Sequence, residues 1–200
     1  MKNQIAELIC TRISHDVMGS IGAVGNASEL LEEGDMDFID DIKSILKTSF
    51  ENLSSRMKFF RLAFGVDNAN LENTDLVIST AKDYVATLGN KDYPIHLEWH
   101  EISQPNIKSA LLTIMIMADL MLRGGKLNIL QKNGFIIAGI AKDAKISQDK
   151  WLRLNDILQS NNGLDANMAP LGALIETREN ENIHLIENDE IYGLAVKISE

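Results

Sequence analysis

A long apolar stripe near the N-terminus limits what this chain can become. Ile9, Ile13, Val17, Ile21, Val24 and Leu31 fall on one side of a helix turning about 100° per residue, a period that no strand satisfies. The spacing predicts a helix from Asn3 to Glu33, ended by Gly34, a residue suited to the left-handed position after a helix. Asp35 or Asp37 can cap a second helix, in which Ile39, Ile42, Leu46, Leu53, Met57, Phe60 and Phe64 recur at helical spacing. So short a connection makes the pair an antiparallel hairpin. Two helices alone cannot cover two long apolar stripes. The expected solution is a two-fold homodimer that closes a four-helix bundle; the alternative is that the rest of the chain folds back over the stripe.

His15 stands roughly opposite the centre of that stripe, with Asp16 immediately after it. Thr11, Arg12, Gly19, Gly22 and Asn26 surround it, so the neighbouring surface is polar and then nearly bare. Glycine inside a helix costs about 0.5–1 kcal/mol relative to alanine, so two of them beside an exposed histidine point to something that must come close. An ordinary surface histidine, with glycines that only let helices approach, also fits this pattern taken alone.

The run from Thr11 to Leu31, TRISHDVMGSIGAVGNASELL, resembles the phosphoacceptor helix of the ChpT-like histidine phosphotransferases. It is similar, more distantly, to the dimerisation and phosphoacceptor helix of sensor histidine kinases. Arg12, His15, Asp16, Gly22, Ala23, Asn26, Glu29, Leu30 and Leu31 fall on matching positions. Ser20 stands where a proline is usual, which removes an expected helix bend. Gly19 stands where a polar residue is usual, which removes the side chain that positions a hydrolytic water in some relatives. The resemblance implies that His15 is the phosphoacceptor. Asp16 would then orient the imidazole, Arg12 would offset phosphoryl charge, and Thr11, Ser14, Met18, Gly19, Gly22 and Asn26 would meet the partner. It further implies a relay between a hybrid sensor histidine kinase and response-regulator receiver domains. No intrinsic cofactor is expected, because the receiver's acidic pocket would supply Mg2+.

The remaining chain has a mixed texture, and Gly65–Asn73 marks the change. Residues 1–66 form the hairpin unit and 73–200 a second α/β unit. Asp75 can cap a helix through Leu88, with Leu76, Val77, Ala81, Tyr84, Val85 and Leu88 inward. Pro94–Trp99 alternates like a strand, and Ile107–Leu122 reads as a buried helix ended by Gly124 and Gly125. Lys126–Gln131 and Phe135–Ala141 flank Asn133-Gly134, a strong hairpin turn. Helices around Asp149–Leu158 and Ala166–Glu176 follow, then Asn182–Glu187 and Glu190–Ile198 around a polar turn at Asn188-Asp189. The fold class is therefore α+β, with helices over one face of a mostly antiparallel sheet.

This order resembles a histidine kinase core whose second unit is a degenerate ATPase-like α/β sandwich. A nucleotide site there needs a helix asparagine for magnesium, an Asp-x-Gly-x-Gly turn and a glycine-rich lid. Ile107–Leu122 has no asparagine, Asp143 is followed by Ala144-Lys145-Ile146, and no glycine lies between Ala144 and Asn162. The chain is thus read as a phosphotransferase that accepts a phosphoryl group without using ATP. The alternative reading is a noncatalytic receiver-binding module derived from a kinase core.

Composition excludes several other classes. A net charge of −10 without a basic run speaks against nucleic acid and against an anionic membrane surface. Ala110–Leu122, the most apolar stretch, contains Asp119 and is too short to span a bilayer. The opening residues are not read as a signal peptide, because Glu7 interrupts the apolar positions. Cys10, the single cysteine, fits a reducing cytoplasm and is expected to pack at the edge of the apolar face. His96, Glu98 and His100 could share one side of a strand, but a solvated polar sheet face accounts for them better than metal ligation, and the same holds for His184. Met115, Met117 and Met121 are expected to fill core.

Overall fold

The structure is a computed structural model that describes residues 2–32, 38–65, 71–160, 162–178 and 182–198. Helix α1 (Lys2–Glu32) runs without a break through Ser20, and α2 (Ile39–Phe64) returns beside it. The stops and caps expected at Gly34, Asp35 and Asp37 lie outside the described residues. Phe38 precedes α2 with no side-chain cap bond, while Asp40 and Asp41 occupy the first turn, where the helix dipole favours them.

Helix α3 (Thr74–Ala86) is capped by Asn73, whose side chain accepts from the Leu76 amide at 3.1 Å. Asp75, expected as the cap, instead sits in the first turn. Leu76 faces solvent, contrary to expectation, while Val77, Ala81, Tyr84 and Val85 are buried. Strand β1 (Ile95–Trp99) leads through a 3-10 turn at Gln104–Asn106 into α4 (Ile107–Ala118), which is buried along nearly its whole length. This helix ends four residues before the expected Leu122, and Met121 then pairs with Ile146.

Strands β2 (Gly125–Lys132) and β3 (Phe135–Ala141) form the expected hairpin. Asn133 and Gly134 both have positive φ, 51° and 79°, as the two-residue mirror-image turn requires. Helix α5 (Gln148–Ser160), a short 3-10 turn at Ala166–Met168 and α6 (Ala169–Arg178) precede the closing hairpin of β4 (Ile183–Glu187) and β5 (Ile191–Lys197). In that last turn the Asn188 side chain accepts from the amides of Glu190 and Ile191.

The sheet order is β1-β2-β3-β5-β4, with β1 parallel to β2 and the other neighbours antiparallel. Register carries the apolar alternation across the sheet. Leu97, Leu127, Ile140 and Tyr192 form one row, and Ile129, Ala138, Leu194 and Leu185 the next. These rows meet α4, whose Leu111, Ile114 and Met115 are fully buried. His96 and His184 point away from that core into solvent, and Glu98 pairs with Lys126 at 2.7 Å.

The core does not stop at the hairpin. Phe59, Phe60, Leu62 and Ala63, from the last turns of α2, join one buried cluster with the sheet and α4. Ile5 of α1 settles over Gly172 of α6, where an added Cβ would lie 3.5 Å from the Ile5 side chain. The second part of the chain therefore covers one end of the hairpin. The far end keeps Ile21, Leu30, Leu31, Phe38, Ile45 and Phe50 exposed.

Gly124 makes a close joint between the loop before β1 and the start of β2. It has φ of +65°, and a Cβ there would sit 2.6 Å from the Pro94 carbonyl oxygen and 2.7 Å from the Tyr93 carbonyl carbon. Gly124→Ala should cost about 1–3 kcal/mol of stability. Urea unfolding will read this as a lower midpoint with unchanged slope; a midpoint equal to the parent's would refute the close approach.

Candidate functional site

Thr11, His15, Met18, Gly19, Gly22 and Asn26 recur at three- and four-residue spacing on α1, and all are exposed. Ser14, one position off this line, is exposed too. The His15 side chain is 84% exposed and Met18 62%. Beside them a Cβ added at Gly19, Gly22 or Gly25 would meet nothing within 4 Å. Gly25 extends the bare track by one more turn, a Gly-x-x-Gly-x-x-Gly spacing that was visible in the sequence but not singled out there. The Thr11 hydroxyl donates to the Glu7 carbonyl at 2.9 Å, so it is tied back into its own helix. Cys10, expected to pack, is exposed.

Asp16 bends round to its neighbour. Its Oδ1 lies 3.5 Å from His15 Nδ1, and its Oδ2 accepts from Arg12 Nε at 2.8 Å. Arg12 is not where the sequence suggested. Expected on the open surface beside His15, it is only 6% exposed, with its guanidinium turned toward the second part of the chain. There Nη1 and Nη2 meet the two carboxylate oxygens of Asp119 at 2.7 and 3.0 Å, a fork-to-fork pair. Nη1 also reaches the Asn167 carbonyl at 3.4 Å. The physical reason is burial: α1 packs against α6 and the turn before it, and a guanidinium on that face must find anions. Burial works against the Arg12 cation, but Asp119 and then Asp16 outweigh it and raise its pKa. Arginine placed before aspartate is the weaker order for an isolated helix pair, so Asp119 carries much of the arrangement.

Asp119 and Tyr84 were missed by sequence reasoning as parts of this site. Asp119 follows the last residue of α4, at the negative end of the helix dipole. Tyr84 of α3 stacks on Phe59 with ring centroids 3.8 Å apart and planes 10° from parallel. Its hydroxyl is fully buried without a hydrogen-bond partner among the described residues. Burial pushes its pKa well above the usual value, and the Asp119 charge adds to that shift. Arg56 of α2 completes the surroundings, donating to the Asp16 carbonyl at 3.4 Å and to Thr87 at the end of α3. The signal for Asp119 lay in the sequence as a lone acid in its most apolar run.

The fold is shared with a solved protein of the phosphotransferase class. A solved structure of a bacterial phosphotransferase superposes with a TM-score of 0.74 at 22% identity, over 98% of this chain and 97% of that one. A histidine kinase from Burkholderia phymatum STM815 superposes with a TM-score of only 0.38 at 12% identity, over 98% of this chain and 97% of that one, too low a score to carry an argument. The particular likeness is to ChpT. A segment of 61 residues is 44% identical to the protein phosphotransferase ChpT of Brucella abortus (strain 2308), covering 30% of this chain and 28% of that relative's length. The resemblance to ChpT-like histidine phosphotransferases, read from Thr11–Leu31, is met by the 61-residue match, and the solved phosphotransferase shares the fold. No family model matches the chain. No helix among the described residues is long and apolar enough to cross a membrane.

Tyr84→Phe tests the buried hydroxyl. The ring stack stays, and an unsatisfied polar group costing about 1–3 kcal/mol is removed. Unfolding free energy should hold or rise by about 1 kcal/mol; a loss of that size would show that the hydroxyl has a partner.

Proposed function

We propose that this chain is a histidine phosphotransferase that passes a phosphoryl group between a hybrid sensor histidine kinase and response-regulator receiver domains through His15. One observation carries the reading: an 84% exposed imidazole beside a carboxylate, on a helix face left bare by glycines. The likenesses to ChpT and to a bacterial phosphotransferase structure support it.

Histidine keeps a neutral, nucleophilic fraction near pH 7. With a proton on Nδ1 facing Asp16, the lone pair on Nε2 attacks the phosphorus of a receiver's aspartyl phosphate. Transfer onward is the reverse reaction at a second receiver. The receiver holds the Mg2+ that neutralises the phosphoryl oxygens. This chain contributes position and charge, the larger part of catalysis in phosphoryl transfer. Arg12, locked between two carboxylates, acts on the reaction through Asp16 rather than by touching phosphate. Gly19, Gly22 and Gly25 let the receiver's active-site loop settle close to His15. Nucleotide takes no part, since the helix asparagine, the Asp-x-Gly-x-Gly turn and the lid are lacking in the second unit.

Label transfer tests this directly. The protein should take up no label from radioactive ATP alone and should become labelled from a phosphorylated receiver domain. The bond formed should be acid-labile and alkali-stable. His15→Gln should abolish labelling and leave the melting temperature unchanged, because the side chain is exposed. Binding of the receiver without labelling would point to a noncatalytic module, and labelling from ATP alone to a kinase.

A homodimer closed into a four-helix bundle, the second part of this proposal, is supported by the uncovered end of the hairpin. Ile21, Leu31, Ile45 and Phe50 expose a patch that a second copy would bury. Burying the exposed part of these four side chains on both copies, about half of a full 1.5–3 kcal/mol each, contributes on the order of 10 kcal/mol against an association cost of about 4–15 kcal/mol. Phe50, 69% exposed, is the cleanest probe because it is the most exposed of these side chains. Phe50→Glu should keep the helical signal and halve the mass seen by light scattering. A parent protein that is monomeric at micromolar concentration would refute the bundle.

A further inference from the structure

We propose that Asp119, at the end of α4, is a positioning residue for His15, acting across the joint between the hairpin and the sheet through Arg12 and Asp16. The inference rests on the phosphotransfer reading and extends it to a residue outside the phosphoacceptor helix.

Charge arithmetic carries the argument. The guanidinium of Arg12 stands between two carboxylates, so the three groups together bear one net negative charge. Asp119 takes both terminal nitrogens of Arg12, at 2.7 and 3.0 Å, and leaves Asp16 only the Nε contact at 2.8 Å, through Oδ2. Asp16 Oδ1 is thereby left without an Arg12 contact and faces His15 Nδ1 at 3.5 Å. Without the Asp119 charge, Arg12 would neutralise Asp16, and the imidazole would lose the acceptor that keeps its proton on Nδ1.

The place of Asp119 does not suit a purely structural role. A carboxylate at the C-terminal end of a helix opposes the dipole, and its neighbours Met117, Ala118 and Leu120 are buried and apolar. The same carboxylate raises the cost of ionising the Tyr84 hydroxyl, which is buried without a partner among the described residues. An apolar residue would suit the helix end, but it would leave the buried Arg12 guanidinium without its two-nitrogen partner. What Asp119 supplies is a fixed negative charge for Arg12.

In the transfer step the Nε2 lone pair forms the nitrogen–phosphorus bond as the phosphorus–oxygen bond to the partner's aspartate breaks. The electron pair of that bond goes to the released carboxylate. The Nδ1 proton stays on the ring, and the positive charge developing on the imidazole is offset by Asp16 Oδ1. Asp119 sets how much of the Asp16 charge is available for this.

Nitrogen-15 NMR of the full chain, with the His15 signal assigned by its loss in His15→Gln, measures the tautomer without any partner. In the parent, His15 should carry its proton mainly on Nδ1. In Asp119→Asn the balance should move toward Nε2–H. Transfer from a phosphorylated receiver should then slow by about tenfold to a hundredfold at an unchanged half-saturating receiver concentration. Asp119→Glu, which keeps the charge, should restore part of both. A folded Asp119→Asn protein with the parent's tautomer balance overturns the inference. If Asp119→Asn does not fold, Asp119→Glu and Arg12→Lys are judged by the same tautomer criterion. If the parent accepts no phosphoryl group at all, the transfer reading fails, and the NMR result still decides what Asp119 does to His15.

Discussion

A guanidinium buried between two carboxylates holds the hairpin to the sheet at one orientation. Arg12 cannot leave its place without stranding Asp119 or itself away from water, and breaking such a pair typically costs about 3–5 kcal/mol. The apolar side of the same joint is the stack of Phe59 on Tyr84, with Phe60 at its edge. Apolar burial favours contact but tolerates sliding. The fork of Arg12 on Asp119 does not, and it fixes the rotation of α1 and with it the direction in which His15 points.

The hairpin therefore has two ends of different character. Near the chain's entry to α1 and its exit from α2, side chains disappear into the core shared with α3, α4 and the sheet. Toward the turn, the two helices touch chiefly each other, through residues such as Ala27 and Ile42, and expose large apolar groups outward. His15 lies between the two regimes. It is close enough to the joint to be oriented by Asp16 and Arg12, and far enough along α1 to face open solvent on a glycine track.

Much of the fold was legible because it follows from short-range rules. Helical period marked α1, α2 and α4, and alternation marked the strands. Asn133-Gly134 announced its hairpin because only such a pair accepts two positive φ angles cheaply. Errors arose where distant contacts decide. The helical pattern puts Leu76 in the core, but it stands 48% exposed, and Asn73 outcompetes Asp75 as the cap. Arg12 was placed on the surface because a stripe on α1 cannot reveal that α6 covers the adjoining face. In the site, His15 and Asp16 could be read as neighbours in a motif. Asp119 could not, since 103 residues separate it from Asp16 and only folding brings Arg12 between them.

The row of Gly19, Gly22 and Gly25 bears on recognition as well as on access. A surface made of backbone alone offers few side-chain features by which one visitor is told from another. Such ground is permissive: any loop of suitable curvature can rest on it. Discrimination must then come from the margins, where Met18 and Asn26 project from the same helix face. Substitutions at those margins could redirect the protein toward a new set of visitors while the histidine and its supports stay untouched. Under the proposed function, the reactive centre and the address would then be free to change independently.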